Sequence, residues 1–307
     1  MDPALLDTIA HAVRRLQDTL LTSSPGLAQP TIDWMVALAG GRSPENYFSH
    51  PLAFPTLLLP WWAAQACPAG ETDVALQQEI AYSSINGYYF IRMIDNVMDG
   101  DASVDPRLLP ALALFHTEFQ SVYQRLFDPT HGFWVTFREA WLGSADAAVQ
   151  DARMKHIPLD QFELASARKV RAALIPVAAV CHRLGCGDRI AAWSELVFRL
   201  GRWHQMQNDL FDWFKDSTHG NQTYFLSLAD QQRAPGQTTA EWVAQVGFTQ
   251  ACDTLRQWMQ DAQAAAITLN SAPLLDDLQA RSANFERRAR DAQAGLAALR
   301  GLAEALK

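Results

Sequence analysis

Three oxygen-bearing side chains, Asn208, Asp212 and Asp216, recur at four-residue steps in the stretch Asn208-Asp209-Leu210-Phe211-Asp212-Trp213-Phe214-Lys215-Asp216. On a helix that spacing stacks them along one face, and Asp95 with Asp99 makes a second such line earlier in the chain. Stacked carboxylates repel by a few tenths of a kcal/mol per pair, roughly, so nothing local favours the pattern. A bound cation removes the repulsion. Oxygen ligands with no accompanying His or Cys pattern suit Mg²⁺, which binds through one or two carboxylates and fills its shell with waters and substrate phosphates. The ligand set therefore points to magnesium and to a phosphorylated substrate. The competing reading is an acidic helix face that simply meets water. Against it stand the apolar sequence neighbours: Ile91, Met93, Ile94, Val97 and Met98 beside the first line, and Leu210, Phe211, Trp213 and Phe214 beside the second.

The elements that must position these lines read as helices. Leu5, Ile9, Val13, Leu16 and Leu20 recur at three- and four-residue steps, which predicts a helix over about 4–22 that Ser23-Ser24-Pro25-Gly26 ends. Further helices are expected near 30–39, from about 52 to 66, and over 73–99 with the first acidic pair at its C-terminal end. After the break at Gly100-Asp101-Ala102-Ser103, helices are expected near 106–127, 133–152 and 159–184. Asp188 is the expected cap of a helix over 189–216 that bears the second line, and a short apolar segment follows the loop Ser217-Thr218-His219-Gly220. Thr238 with Glu241 forms a capping box for a helix to about 267, and a last helix covers about 272–305. No stretch sustains strand alternation and no linker divides the chain. The expectation is an all-α fold, residues 1–307 forming one helical domain.

A chain of 307 residues with 49% hydrophobic content can bury a large core, while its net charge of −8, with no basic stripe to offset it, argues against a nucleic-acid partner. An anionic substrate would then need metal ions to be held. Cys67, Cys181, Cys186 and Cys252 are irregularly placed and form no zinc pattern, so free cytosolic thiols are expected. The start Met1-Asp2-Pro3-Ala4 lacks a secretory pattern, and the apolar run through Leu57-Leu58-Leu59-Pro60-Trp61-Trp62 is too short to span a bilayer. A soluble cytoplasmic protein without stable membrane insertion is expected.

The segment Gly201-Arg202-Trp203-His204-Gln205-Met206-Gln207-Asn208-Asp209-Leu210-Phe211-Asp212 resembles the second aspartate-rich region of trans-isoprenyl diphosphate synthases. Asn208-Asp209, Asp212, Lys215 and Asp216 resemble still better the metal motif of class I terpene synthases, which has a hydroxyl residue where Asp212 stands and Glu where Asp216 stands. Asp95 and Asp99 match the outer acids of the Asp-Asp-x-x-Asp signature, with Asn96 in its second place. The resemblance covers roughly residues 80 to 230. It implies the class I terpenoid synthase type of helical bundle, a prenyl diphosphate substrate, and Mg²⁺ held by Asp95, Asp99, Asn208, Asp212 and Asp216. Enzymes of this type are often dimers, so it also admits a homodimer.

The same resemblance assigns Lys215 to the diphosphate and likens Lys169, with Arg168 or Arg171, to a diphosphate-sensing position. Solvated basic residues with capping duty are the alternative for these. Tyr88, Ile91 and Arg92, one and two turns before Asp95, and Gln205, His204 and Gly201, one and two turns before Asn208, are expected to face the substrate cavity below the metals, Arg92 turning to phosphate or to a carboxylate. Trp61, Trp62, Tyr89, Phe90 and Trp203 are wall candidates or plain core, and His182 and His204 read as packed residues. A chain-elongating synthase has a second diphosphate site; here Gly40-Gly41 is followed by Arg42-Ser43-Pro44, and only Arg107 stands in the stretch after Asp99. The reading that follows is ionisation of one allylic diphosphate and rearrangement of its cation. A prenyltransferase, elongating or of the head-to-head squalene and phytoene type, is the rival. A non-catalytic, degenerate synthase is the third reading, which expects eroded ligands.

Overall fold

The computed structural model describes residues 2–50, 53–68, 73–98, 105–151, 154 and 156–305. Among these residues there is no strand, and the all-α expectation holds. Backbone contacts gather the chain into two compact units, Met1–Thr136 with Ile175–Ile190, and Phe137–Leu174 with Ala191–Lys307.

In the first unit, α1 (Pro3–Ser23) starts where the Asp2 carboxylate accepts from the Ala4 N–H at 2.9 Å and Pro3 occupies the first turn. Its predicted stripe Leu5, Ile9, Val13, Leu16 and Leu20 is buried. Next come α2 (Pro25–Leu38), α3 (Glu45–Phe48) and α4 (Leu58–Ala66). Central to the unit is α5 (Val74–Met98), whose first turn is capped by Asp73 accepting from the Leu76 N–H at 3.0 Å. It packs against α1 and against α6 (Ala111–Leu126). Gly87 makes the second contact possible, because a Cβ there would lie 2.8 Å from the Phe119 ring. Glu79 joins all three helices through Arg15 at 2.5 Å and Arg125 at 2.6 Å.

Helix α7 (Phe133–Asp151) leads into the second unit, which holds α8 (Leu159–Lys169), and α9 (Leu174–Arg183) returns the chain to the first. The second unit is built on α10 (Ile190–His219), α11 (Tyr224–Gln232), α12 (Thr239–Trp242), α13 (Phe248–Thr268) and α14 (Ala272–Ala305). The α10 residue Arg202 bonds Glu163 of α8 at 2.7 Å and Asp261 of α13 at 3.1 Å, with its guanidinium 4.8 Å from the Trp258 ring centre. The capping box at Thr238 and Glu241 is present.

Several expectations are corrected. The chain re-enters a helix at Pro25, because proline suits the first turn as well as it ends the helix before it. The helix expected over 159–184 is interrupted at Val170 and by a 3₁₀ turn, Arg171–Ala173. Asp188 lies inside a 3₁₀ turn, Gly187–Arg189, and caps nothing through its side chain. The apolar segment after Gly220 is the helix α11, with Thr223 as its cap. A π-turn, Val243–Gly247, separates α12 from α13. Of the four expected free thiols, Cys67 and Cys186 form a disulfide, their Cα atoms 6.2 Å apart, while Cys181 and Cys252 are free and buried.

Candidate active site

Asp95 stands on the last turn of α5 and accepts from Arg92 Nη1 at 3.1 Å, both side chains being partly open to solvent. Arg92 thus turns to a carboxylate, one of the two destinations expected of it. Its Nε is buried without an acceptor. Asn96 is buried, and its Nδ2 also lacks a partner. Asp99 lies outside the described residues. Tyr88, one turn before Arg92, shares a hydrogen bond with the Tyr47 hydroxyl and packs against Phe48 and Tyr89. Burial, and then Tyr47, push its phenol well above the ordinary range. Trp34 and Phe115 complete this aromatic cluster around Tyr89, which is fully buried.

On α10 the buried side is Trp193, Leu196, Val197, Leu200, Trp203, Met206 and Leu210, which leaves Asn208 and Asp212 exposed on the other. Asp216 is half-buried, accepts from Asn221 Nδ2 at 3.3 Å, and sits beside exposed Lys215. Gln205 donates to Asp209 at 2.8 Å, so its amide holds a buried carboxylate. This separates the two adjacent residues of the motif: Asp209 is bound inward while Asn208 is open. His204, partly buried, is pushed down to about 4 by burial and then by Arg281, so it is neutral at ordinary pH.

Arg168, Lys169 and Arg171 cluster where α8 stops. Arg171 bonds Glu139 at 3.2 Å while its Nε is buried without an acceptor, and Arg168 makes no ion pair among the described residues. One cation was missed in the sequence. Arg288 of α14 stacks on Phe211, 4.0 Å from the ring centre, and Phe211 lies three residues after Asn208 and four before Lys215 on α10. Only a contact between two helices distant in sequence reveals it.

Among the described residues no three His, Cys, Asp or Glu side chains converge. The α10 set consists of two carboxylates and an amide, an oxygen-only donor set that fits a hard cation completing its shell from water or phosphate. No protein-family model matches the chain, and no curated protein sequence does either. Among solved structures, a geranylgeranyl pyrophosphate synthetase from the archaeon Geoglobus acetivorans superposes with a TM-score of 0.64, covering 93% of this chain and 99% of that one. This chain has the synthetase's all-α fold. At 13% identity the likeness is one of fold. It bears out the expected kind of helical architecture. No described helix is long and apolar enough to cross a membrane.

Proposed function

We propose that the chain, residues 1–307 acting as one catalytic domain, is a Mg²⁺-dependent enzyme that ionises a linear allylic prenyl diphosphate. The resulting cation is cyclised or rearranged and is discharged by loss of a proton or by uptake of water with loss of a proton, and diphosphate is released. The observation that carries this reading is the α10 stripe, in which Asn208, Asp212 and Asp216 stand at helical spacing with Lys215 beside the last, in a chain with the fold of a pyrophosphate synthetase. Asp95, Asp99, Asn208, Asp212 and Asp216 would hold Mg²⁺, which when bound neutralises charge growing on a departing diphosphate. Lys215, Arg168, Lys169 and Arg171 bind and orient the phosphate oxygens, and Arg92 divides its donors between phosphate and Asp95. Gln205 holds Asp209 beside Asn208, and Tyr88 faces the substrate one turn before Arg92. Aromatic side chains stabilise a carbocation where water is excluded.

Prenyl transfer is the second reading, and a specific observation favours it: the structural neighbour is itself a geranylgeranyl pyrophosphate synthetase. What supports a single diphosphate site instead is the sequence: Gly40-Gly41 is followed by Arg42-Ser43-Pro44, and only Arg107 stands in the stretch after Asp99. Incubation with one prenyl diphosphate and Mg²⁺, with and without isopentenyl diphosphate, separates the readings. Products of unchanged carbon number support cyclisation, whereas growth in carbon number establishes transfer. A homodimer completes the proposal, tested by light scattering, while a cytoplasmic location requires Cys67 and Cys186 to be reduced, which a thiol count without reductant reads.

A further inference from the structure

Gly201 lies seven residues before Asn208, about 10 Å lower along the same stripe of α10. A Cβ at this position would collide with Val170 Cγ2 and lie 2.9 Å from the carbonyl oxygen of Ser166. Neither neighbour yields easily, since valine is stiff at χ1 and the carbonyl belongs to the backbone of α8. Glycine weakens a helix interior relative to alanine, so its place here is explained by the close approach that it permits.

What lies at the contact is the interruption of the helix. Val170 closes α8, and at the same break Ser144 Oγ of α7 donates to the Lys169 carbonyl at 2.5 Å. The break is therefore held at two contacts, by Gly201 and by Ser144, and Arg168, Lys169 and Arg171 all issue from it.

We propose that Gly201 is a positioning residue. By letting α10 touch the backbone at 166–170 it sets the register between the basic break and the oxygens of Asn208, Asp212 and Asp216, so that both address one anion. The proposal rests on the diphosphate reading above, and Gly201 acts through Val170 and Ser166 without touching substrate.

The test is calorimetric titration of inorganic pyrophosphate, in the presence of Mg²⁺, into the parent protein, Gly201→Ala, and Gly201→Ala with Val170→Ala. Gly201→Ala is expected to weaken pyrophosphate binding about tenfold, the scale of loss for a displacement of under 1 Å. Binding of Mg²⁺ alone should stay within about twofold, since an added methyl at Gly201 carries no charge and lies about two helical turns from Asn208. Adding Val170→Ala should restore part of the loss, because the collision with Cγ2 is removed and that with Ser166 remains. Should Gly201→Ala fail to fold, Ser144→Ala, which loosens the other clamp, must weaken pyrophosphate binding severalfold with the urea midpoint near that of the parent. Parental affinity in a folded Gly201→Ala, or in Ser144→Ala, overturns the proposal alone. No pyrophosphate binding by the parent overturns the diphosphate reading and this proposal with it.

Discussion

Arg92 Nη1 lies 3.1 Å from Asp95 Oδ2, one turn further along α5, so a carboxylate proposed to ligate a metal ion is already met by a cation. The pair is partly solvated and therefore worth about 1 kcal/mol at most. Arg92→Ala is expected to free Asp95 and tighten Mg²⁺ binding up to about fivefold. The same change should lower kcat/KM for a prenyl diphosphate, because a donor to phosphate is lost. Unchanged Mg²⁺ affinity together with unchanged turnover would remove both residues from the site.

The α10 stripe gives a sharper pair of substitutions. Asp212 is exposed, so replacing it costs little stability and any effect reads out on function. Asp212→Ser retains an oxygen at the ligand position and should stay within about tenfold of the parent, whereas Asp212→Ala and Asp216→Ala should each lose about a hundredfold or more in kcat. Turnover of Asp95→Ala and Asp216→Ala equal to that of the parent removes the metal assignment.

The long elements were legible because their apolar period runs over several turns: the stripe from Leu5 to Leu20, and the helices that carry Asp95 and Asn208, stand where that period places them. The cap at Thr238 was legible for a local reason, since both of its partners lie within three residues. What escaped depends on residues distant in the chain. Nothing in the composition around Val170 marks a break; the residues that meet it, Gly201 and Ser144, are distant in the chain. The approach of Arg288 to Phe211 is likewise tertiary. The candidate site was legible as two motifs, but the division of labour between Asn208, open, and Asp209, bound by Gln205, was not.

The disulfide between Cys67 and Cys186 closes a sequence separation of 119 residues, which spacing alone could not reveal. It ties the end of α4 to the segment after α9, both in the first unit, where Arg189 also donates to the Ala66 carbonyl. Removing a bridge over so long a loop costs about 2–5 kcal/mol, which lowers Tm by roughly 3–8 °C in a chain of this size. Cys67→Ala, or reduction of the parent, should therefore shift the calorimetric transition downward by that amount. Unfolded without reductant, the protein should titrate two thiols, Cys181 and Cys252, and with reductant four. Four without reductant would mean that the bridge does not form and would support the cytosolic expectation, since thiols stay reduced there.

His204 predicts an acid limb in the stability profile. Burial, and then Arg281, hold its imidazole down at about 4, against an ordinary value of 6.5. As pH falls below 6.5 the unfolded chain takes up the proton first, so it binds more protons than the folded one and stability declines with acidification. The contribution is fully present above pH 6.5 and is lost by about pH 4. Its ceiling is about 3 kcal/mol, from about 1.4 kcal/mol per pKa unit, and residual solvent at the ring lowers it further. In His204→Gln the amide does not titrate, so the difference in urea midpoint between parent and variant should hold from pH 7.5 to about pH 6.5 and shrink from there to pH 4.5. Carboxylates titrating in the same window affect both proteins alike and cancel in that difference. Parallel curves across the window would show that His204 takes up its proton as readily in the folded chain as in the unfolded one, and the neutral, packed role given to it beside Asn208 would fall.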